Sequence, residues 1–554
     1  MTPFAPFRPE PGTLPVEAAR RAAESEAGPL LLDPGEPVPA EMGGAVLAAL
    51  PAGRAGAPEE ACRAADGSPA GVAGALRACL TSERHRRRLA EAAATALAAG
   101  LPGVCLDQPD EPLALGLLGA GFCADCQRAF LRELAREYGD QFQPLDFARM
   151  AAEALAQAPG ALGHGLLPFG RDFMRFRTEA LTRAVAAQAR DARDAARAAG
   201  KRLEVTARFQ ALGPAQIAAA RHLDAAIFPA TWPPAGTGLG LFRLARAALG
   251  RRPCAVIPPA ELADGDLLPL AWVAAACGVE IAGPLPAGST ARALAAARRL
   301  FRSPGANGTA APPEPLAECA VLYSAESDLW SGGRHREAVM LAVEALADLQ
   351  VQAPVVLRVP DAPAGAVLVL SGAEALSPLE GQAVKRRLES GGTVLCLGEA
   401  GAVDVAGRPA PSWIPAGKPT GVKVEQGTLV TLPSPLPPQG SGLAAAAPLE
   451  PIERALSLLL GRGGRAVSVT SRVPMLAVAF RRREVLELHL AALRDETARG
   501  ATLFLDVHVA GQARRARFRS AEGADERINM NPAGYAISTV LPSFRGYAVL
   551  TLGA

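Results

Sequence analysis

Gly103-Val-Cys-Leu-Asp107 is a short apolar run closed by a carboxylate, and Gln108-Pro-Asp-Glu-Pro112 follows it directly. After a short apolar stretch, Gly121-Phe-Cys-Ala-Asp-Cys-Gln-Arg-Ala-Phe130 leads into a segment with Phe130, Leu131 and Leu134 at helical spacing, which Gly139 ends. A strand without polar alternation is buried on both faces, the condition of a parallel sheet covered by helices. The rhythm recurs on both sides of this passage. Apolar runs at 29–33, 45–50 and 60–66 precede it, and runs at 203–210, 223–228, 254–257 and 278–282 follow. Each is followed by turn residues and then by helix-compatible sequence, most clearly at 82–99 and 171–199. Eight such strand–helix units predict a (β/α)8 TIM-like barrel over 1–305, with the first three units cramped.

A Pro/Gly/Ala stretch at 303–316 breaks the pattern, and a new one begins beyond it. Apolar runs at 320–324, 355–358, 366–371, 392–397 and 427–433, with helices near 336–349 and 377–391, predict a doubly wound α/β unit over 317–440. From about 465 the period changes to two. Runs at 484–490, 501–509, 513–519 and 547–552 predict antiparallel strands and a C-terminal β-sandwich over 450–554.

Composition bounds the function. The chain has 554 residues, 49% hydrophobic and 20% charged, which excludes a wholly disordered protein. Lys and Arg total 57 against 55 Asp and Glu, so the net charge of +2 gives no global attraction to nucleic acid or anionic lipid. The opening residues lack the basic-then-apolar pattern of a secretory leader, and no window carries the roughly 18 uninterrupted apolar residues of a membrane span. Nine scattered cysteines fit a reducing compartment. The expectation is a cytoplasmic protein with neither nucleic acid nor membrane as partner.

This order of units resembles glycoside hydrolases related to the family 42 β-galactosidases. The likeness lies in Gly103–Asp107 with the Cys123/Cys126 helix, in Ala320-Val-Leu-Tyr-Ser324, in Leu388-Glu-Ser-Gly-Gly-Thr-Val394 and in the final Phe544–Leu552 run. The resemblance implies that the middle unit is glutamine-amidotransferase-like, without amidotransferase chemistry, and that it makes homo-oligomers. Cys396 within it sits in an apolar strand and reads as core. The resemblance also implies a carbohydrate substrate, no cofactor for catalysis, and a structural zinc on cysteines near Cys123.

Glycoside hydrolysis needs two carboxyl groups across the scissile bond, and in such a barrel they stand at the carboxyl ends of strands. Asp107, Asp110 and Glu111 cluster after the fourth expected strand, where mutual repulsion would raise a pKa as a general acid requires. The plainer reading is a solvated loop shaped by Pro109 and Pro112. The resemblance implies a partner after the seventh strand, where the first carboxylate is Glu261, about four residues late; a charge in the first turn of a helix is the competing role. Asp33, Arg208, Gln210 and Trp232 lie at other strand ends as candidate substrate contacts, with Trp232 as a stacking platform or a plain cover for the barrel end. Cys123 and Cys126 have zinc-ligand spacing and need two more ligands, for which Cys79 or Cys62 are the candidates; free thiols and a redox pair are the alternatives. The leading expectation is a glycoside hydrolase acting on an oligosaccharide. The alternative is a catalytically inactive barrel that binds carbohydrate or assembles with partners.

Overall fold

The computed structural model describes residues 30–32, 46–72, 75–114, 119–143, 145–157, 167–230, 237–259, 264–282, 296, 300, 314–403, 420–424, 426–434, 449–460, 465–482, 484–511 and 513–553. Among these residues the first unit is a parallel sheet of seven strands: β1 (Leu30–Leu32), β2 (Val46–Leu50), β3 (Gly103–Asp107), β4 (Glu204–Arg208), β5 (Ala225–Pro229), β6 (Cys254–Ile257) and β7 (Glu280–Ile281). They pair in chain order, each with the next.

Seven of the eight expected segments are strands. The exception is 60–66. Pro58–Glu60 is a single 3-10 turn, and the residues after it make only isolated antiparallel bridges, Ala61 to Ala78 and Arg63 to Pro69. β2 pairs directly with β3, so this excursion stands outside the sheet and Gly103–Asp107 is third in it, not fourth. The physical reason is Glu60. Its carboxylate is buried and accepts from Gly56 N at 2.8 Å and from Arg88 Nε at 3.0 Å, with His85 Nδ1 at 3.4 Å. Those bonds fix the segment against the helix Glu83–Ala98, whose N-cap is Ser82.

Successive side chains on a strand point to opposite faces. Val104, Leu106, Val205, Ala207, Ala226, Phe228, Cys254 and Val256 pack into the large core built with the helices. The alternate residues form smaller clusters: Cys105 packs on Leu47, and Ala225, Ile227, Ala255 and Ala282 pack together. The 29-residue helix Gly170–Ala198 covers the outer face with Leu181, Val185, Ala189 and Ala192.

In the second unit Val355–Val356, Cys319–Leu322, Val367–Ser371, Thr393–Leu397 and Gly427–Leu432 run parallel in that spatial order, with Thr420–Val424 added antiparallel at the edge. Cys396 is fully buried, and burial pushes its thiol up to about 12, consistent with a core role. Helix Arg334–Asp348 sends Met340, Val343 and Leu346 into the same core as the first unit's helices, so the two share one apolar interior.

The third unit holds an antiparallel six-stranded sheet and a four-stranded one, whose Leu488, Leu490, Leu503, Leu505, Phe518 and Leu550 fill a common core. The expected run 501–509 stops as a strand at Asp506, whose Oδ1 accepts from His508 N at 2.7 Å and opens the helical turn Val507–Ala510.

Candidate functional site

Asp107 and Arg208 are the last residues of β3 and β4 and directly opposite in parallel register. By the alternation above they share the inner face with Cys105 and Thr206. Arg208 Nε lies 2.5 Å from Asp107 Oδ1, and both side chains are largely buried. The inner face at the carboxyl ends of β3 and β4 therefore carries a closed ion pair.

The chain then turns through Gln108, whose φ of 51° is left-handed and whose N–H donates to Arg208 O at 2.8 Å. The kink brings Asp110 back beneath the loop after β4. Asp110 is 1% exposed; Gln210 N donates to both its oxygens at 3.0 Å and Gln216 Nε2 to Oδ2 at 2.8 Å. Burial pushes its carboxyl up to about 6, against the hydrogen bonds from Gln216, Gln210 and Ala211 that favour the charged form. The rise expected from carboxylate repulsion thus comes from desolvation. Gln210, read as a sugar contact, supplies its backbone N–H to Asp110. Gln216 was not singled out in the sequence, although Gly213-Pro-Ala-Gln216 has helix-start spacing and Gly213 N does donate to Gln216 Oε1.

Glu111 opens the helical turn Glu111–Ala114 at the same strand end, where Leu113 N donates to Asp110 O at 2.8 Å. β6 ends at Ile257 and continues into Pro258 and Pro259. Asp33, Trp232 and Glu261 lie outside the described residues. A cavity of about 620 Å³ lined by Arg243, Arg246, Gln352 and Phe480 lies away from these strand ends, beside the loop that enters the amino end of β6.

The cysteines converge. Cys62 and Cys79 come from the excursion, Cys123 caps helix Ala124–Tyr138 and Cys126 lies in its first turn; their four sulfurs all fall within 4.8 Å of one another. Cys79 Sγ is 3.1 Å from Cys123 Sγ and 3.5 Å from Cys126 Sγ, and Gly121 N donates to Cys62 Sγ at 2.9 Å. Hydrogen bonding with Cys123 holds Cys79, and with Cys126 holds Cys123, below the ordinary thiol value, while hydrogen bonding with Cys123, Cys62 and Cys79 pushes Cys126 up. Cys62 and Cys79, alternatives in the sequence, both take part. The donor set fits zinc, since four thiolates at Zn–S distances near 2.3 Å stand about 3.8 Å apart in a tetrahedron. Zinc with four thiolates has no open position, so its chemistry there would be structural.

No family model and no curated protein matches the chain. Solved structures do. A β-galactosidase from Bacillus circulans sp. alkalophilus aligns over 99% of this chain and 98% of its own, with TM-score 0.67 and 12% identity. Gan42B, a GH42 β-galactosidase from G. stearothermophilus, gives TM-score 0.67 and 14% identity over 99% and 97%. An α-L-fucosidase isoenzyme from Paenibacillus thiaminolyticus gives 0.66 and 11% over 99% of both chains. The chain thus shares the overall fold of these β-galactosidases and of this fucosidase. Among the described residues no helix is long and apolar enough to cross a membrane.

Proposed function

We propose that the chain is a glycoside hydrolase-like protein acting on an oligosaccharide. Its architecture on this reading is a (β/α)8 TIM-like barrel over 1–305, an amidotransferase-like unit over 317–440 and a C-terminal β-sandwich over 450–554. The observation that supports it most is that the acidic residues Asp107, Asp110 and Glu111 follow closely along the chain at the carboxyl end of one strand of a parallel sheet. Asp107 is neutralised by Arg208 and Asp110 is enclosed by donors, which points to Glu111 as the general acid. Glu261 is its opposite carboxylate, as nucleophile or base, and Asp107, Arg208, Asp33, Gln210 and Trp232 shape the sugar site. The acid protonates the leaving oxygen as an oxocarbenium-like transition state forms, with no cofactor in the reaction and zinc kept to structure. A cytoplasmic location and homo-oligomers through the middle unit complete the reading.

The Pro258-Pro259 pair favours a second reading, because it occupies the end of β6 where a strand-end carboxylate would stand. On that reading the barrel binds carbohydrate without cleaving it.

Hydrolysis of aryl glycosides, β-galactosides and α-L-fucosides included, tests the first reading. Wild type is expected to turn over one of them, with Glu111→Gln and Glu261→Gln each slower by about 100-fold or more. Absence of turnover together with calorimetric binding of an oligosaccharide establishes the second.

A further inference from the structure

The cavity of about 620 Å³ beside the loop into the amino end of β6 is lined by all three units. Helix Leu239–Leu249 and the residues after it supply Arg243, Arg246 and Arg252. The second unit adds Val355, Val356 and Arg358, and the third adds Phe480. The volume suits a small organic molecule.

Its lining is cationic. The described residues around it include six arginines against two carboxylates, Glu314 and Asp361. Both carboxylates are taken by exposed arginines: Arg251 Nη2 lies 3.1 Å from Glu314 Oε1, and Arg358 Nη2 lies 2.6 Å from Asp361 Oδ1. The less exposed arginines have neutral partners. Arg243, 8% exposed, donates to Ala353 O and hydrogen-bonds the Cys277 thiol. Arg246 Nη1 donates to Gly278 O at 3.0 Å. Arg252 donates through Nε to Leu249 O at 3.2 Å and through Nη1 to Leu223 O at 2.6 Å and Arg221 O at 2.9 Å. Its Nη2 hydrogens have no acceptor among the described residues.

Helix-end carbonyls are an ordinary place for arginines, and they satisfy N–H groups. They do not neutralise a cation, and a guanidinium drawn out of water needs an anion. The carboxylates that favour these charges are committed elsewhere. Glu344, which acts on Arg243, accepts from Thr237 Oγ1 at 2.7 Å and from Gly240 N at 3.2 Å. Asp224, which acts on Arg252, pairs with Arg193 at 3.0 Å. Burial accordingly holds Arg243, Arg246 and Arg252 below their ordinary value.

We propose that this cavity binds a small organic phosphate, its charge held by Arg243, Arg246 and Arg252 and its apolar body by Val355, Val356 and Phe480. A phosphate monoester carries close to two negative charges and three acceptor oxygens, which answer several guanidinium forks at once. The apolar walls favour an organic body over inorganic phosphate. The site lies at the amino end of β6, whereas Asp107 and Glu111 stand at the carboxyl end of β3, so it is independent of the hydrolase reading.

Calorimetric titration of the full chain tests it with adenosine 5′-monophosphate and phenyl phosphate, against adenosine, phenol and inorganic phosphate. One organic phosphate or both should bind at one per chain, about tenfold tighter than inorganic phosphate and than the uncharged counterpart. Arg243→Met, Arg252→Met and the charge-neutral Phe480→Ala should each weaken that binding about tenfold, with ligand-free urea midpoints reporting whether each variant folds. Hydrogen exchange on wild type locates the site without any variant: the bound phosphate should raise protection at 243–252 and 352–358 and leave 107–114 unchanged. Absence of binding by both phosphates at millimolar concentration overturns the proposal. So does equal binding of the uncharged counterpart or of inorganic phosphate, or protection at 107–114 in place of 243–252.

Discussion

Arg208 and Asp107 face each other in parallel register at the carboxyl ends of adjacent strands, Nε to Oδ1 2.5 Å, with side-chain exposures of 17% and 14%. Such a pair is hard to break from one side, because the surviving charge remains largely desolvated. Asp107→Asn or Arg208→Met should each cost about 2–3 kcal/mol, between the exposed and the fully buried limits. The double variant should recover about 1 kcal/mol or more of the summed loss in urea denaturation. Strict additivity would mean that the pair contributes nothing.

Asp110 gives stability a pH dependence of its own. Its folded value of about 6 lies above the ordinary 3.8, so the folded chain holds this proton more tightly than the unfolded one. The contribution is fully present below pH 4 and is lost as pH rises through 6. Wild type relative to Asp110→Asn should therefore lose about 2–3 kcal/mol between pH 4 and pH 7. Urea midpoints of both proteins at the two pH values measure it. A difference independent of pH would place the carboxyl in a solvated setting.

Metal analysis of the purified protein should find zinc near one per chain. A chelator, or Cys79→Ser or Cys123→Ser, should lower the first thermal transition, because Cys62, Cys79 and Cys126 sit in one apolar cluster with Phe122, Phe130 and Phe173. Protein free of metal and insensitive to chelation would leave the four as free thiols.

Gly240 tests the packing between the first two units. A Cβ there would stand 2.6 Å from Met340 Cα and 2.7 Å from Met340 O, on the facing helix. Gly240→Ala must push the two helices apart and should cost about 1–3 kcal/mol, read as a lower urea midpoint. An unchanged midpoint would mean that the helices shift freely. The Gly-Leu-Gly run at 238–240 lacks the Lys and Ser/Thr of a phosphate loop; it serves a close helix crossing instead.

Much of the fold is legible in the text. β3 to β6 announce themselves because a strand covered on both faces is locally apolar, as Cys254-Ala-Val-Ile257 is. Helix ends follow from local stop signals such as Gly139, and the strands of the second and third units from runs such as Val367–Ser371 and Val485–Ala492. Residues 60–66 mislead because their apolar content resembles a weak strand, whereas a buried Glu60 carboxylate bonded to Arg88, 28 residues away, holds them outside the sheet.

The site divides the same way. The sequence by itself determined which residue types stand at the strand ends, since strand period and turn chemistry are local: Asp107, Asp110, Glu111 and Arg208 are all there to be read. Their roles depend on partners about a hundred residues distant. Only the tertiary structure decided that Asp107 is answered by Arg208, that Asp110 is sealed by Gln210 and Gln216, and that Cys62 and Cys79 both join Cys123 and Cys126. Electrostatics and metal geometry act through space. The chain's order specifies the groups, but only folding sets the few ångströms between them on which their chemistry depends.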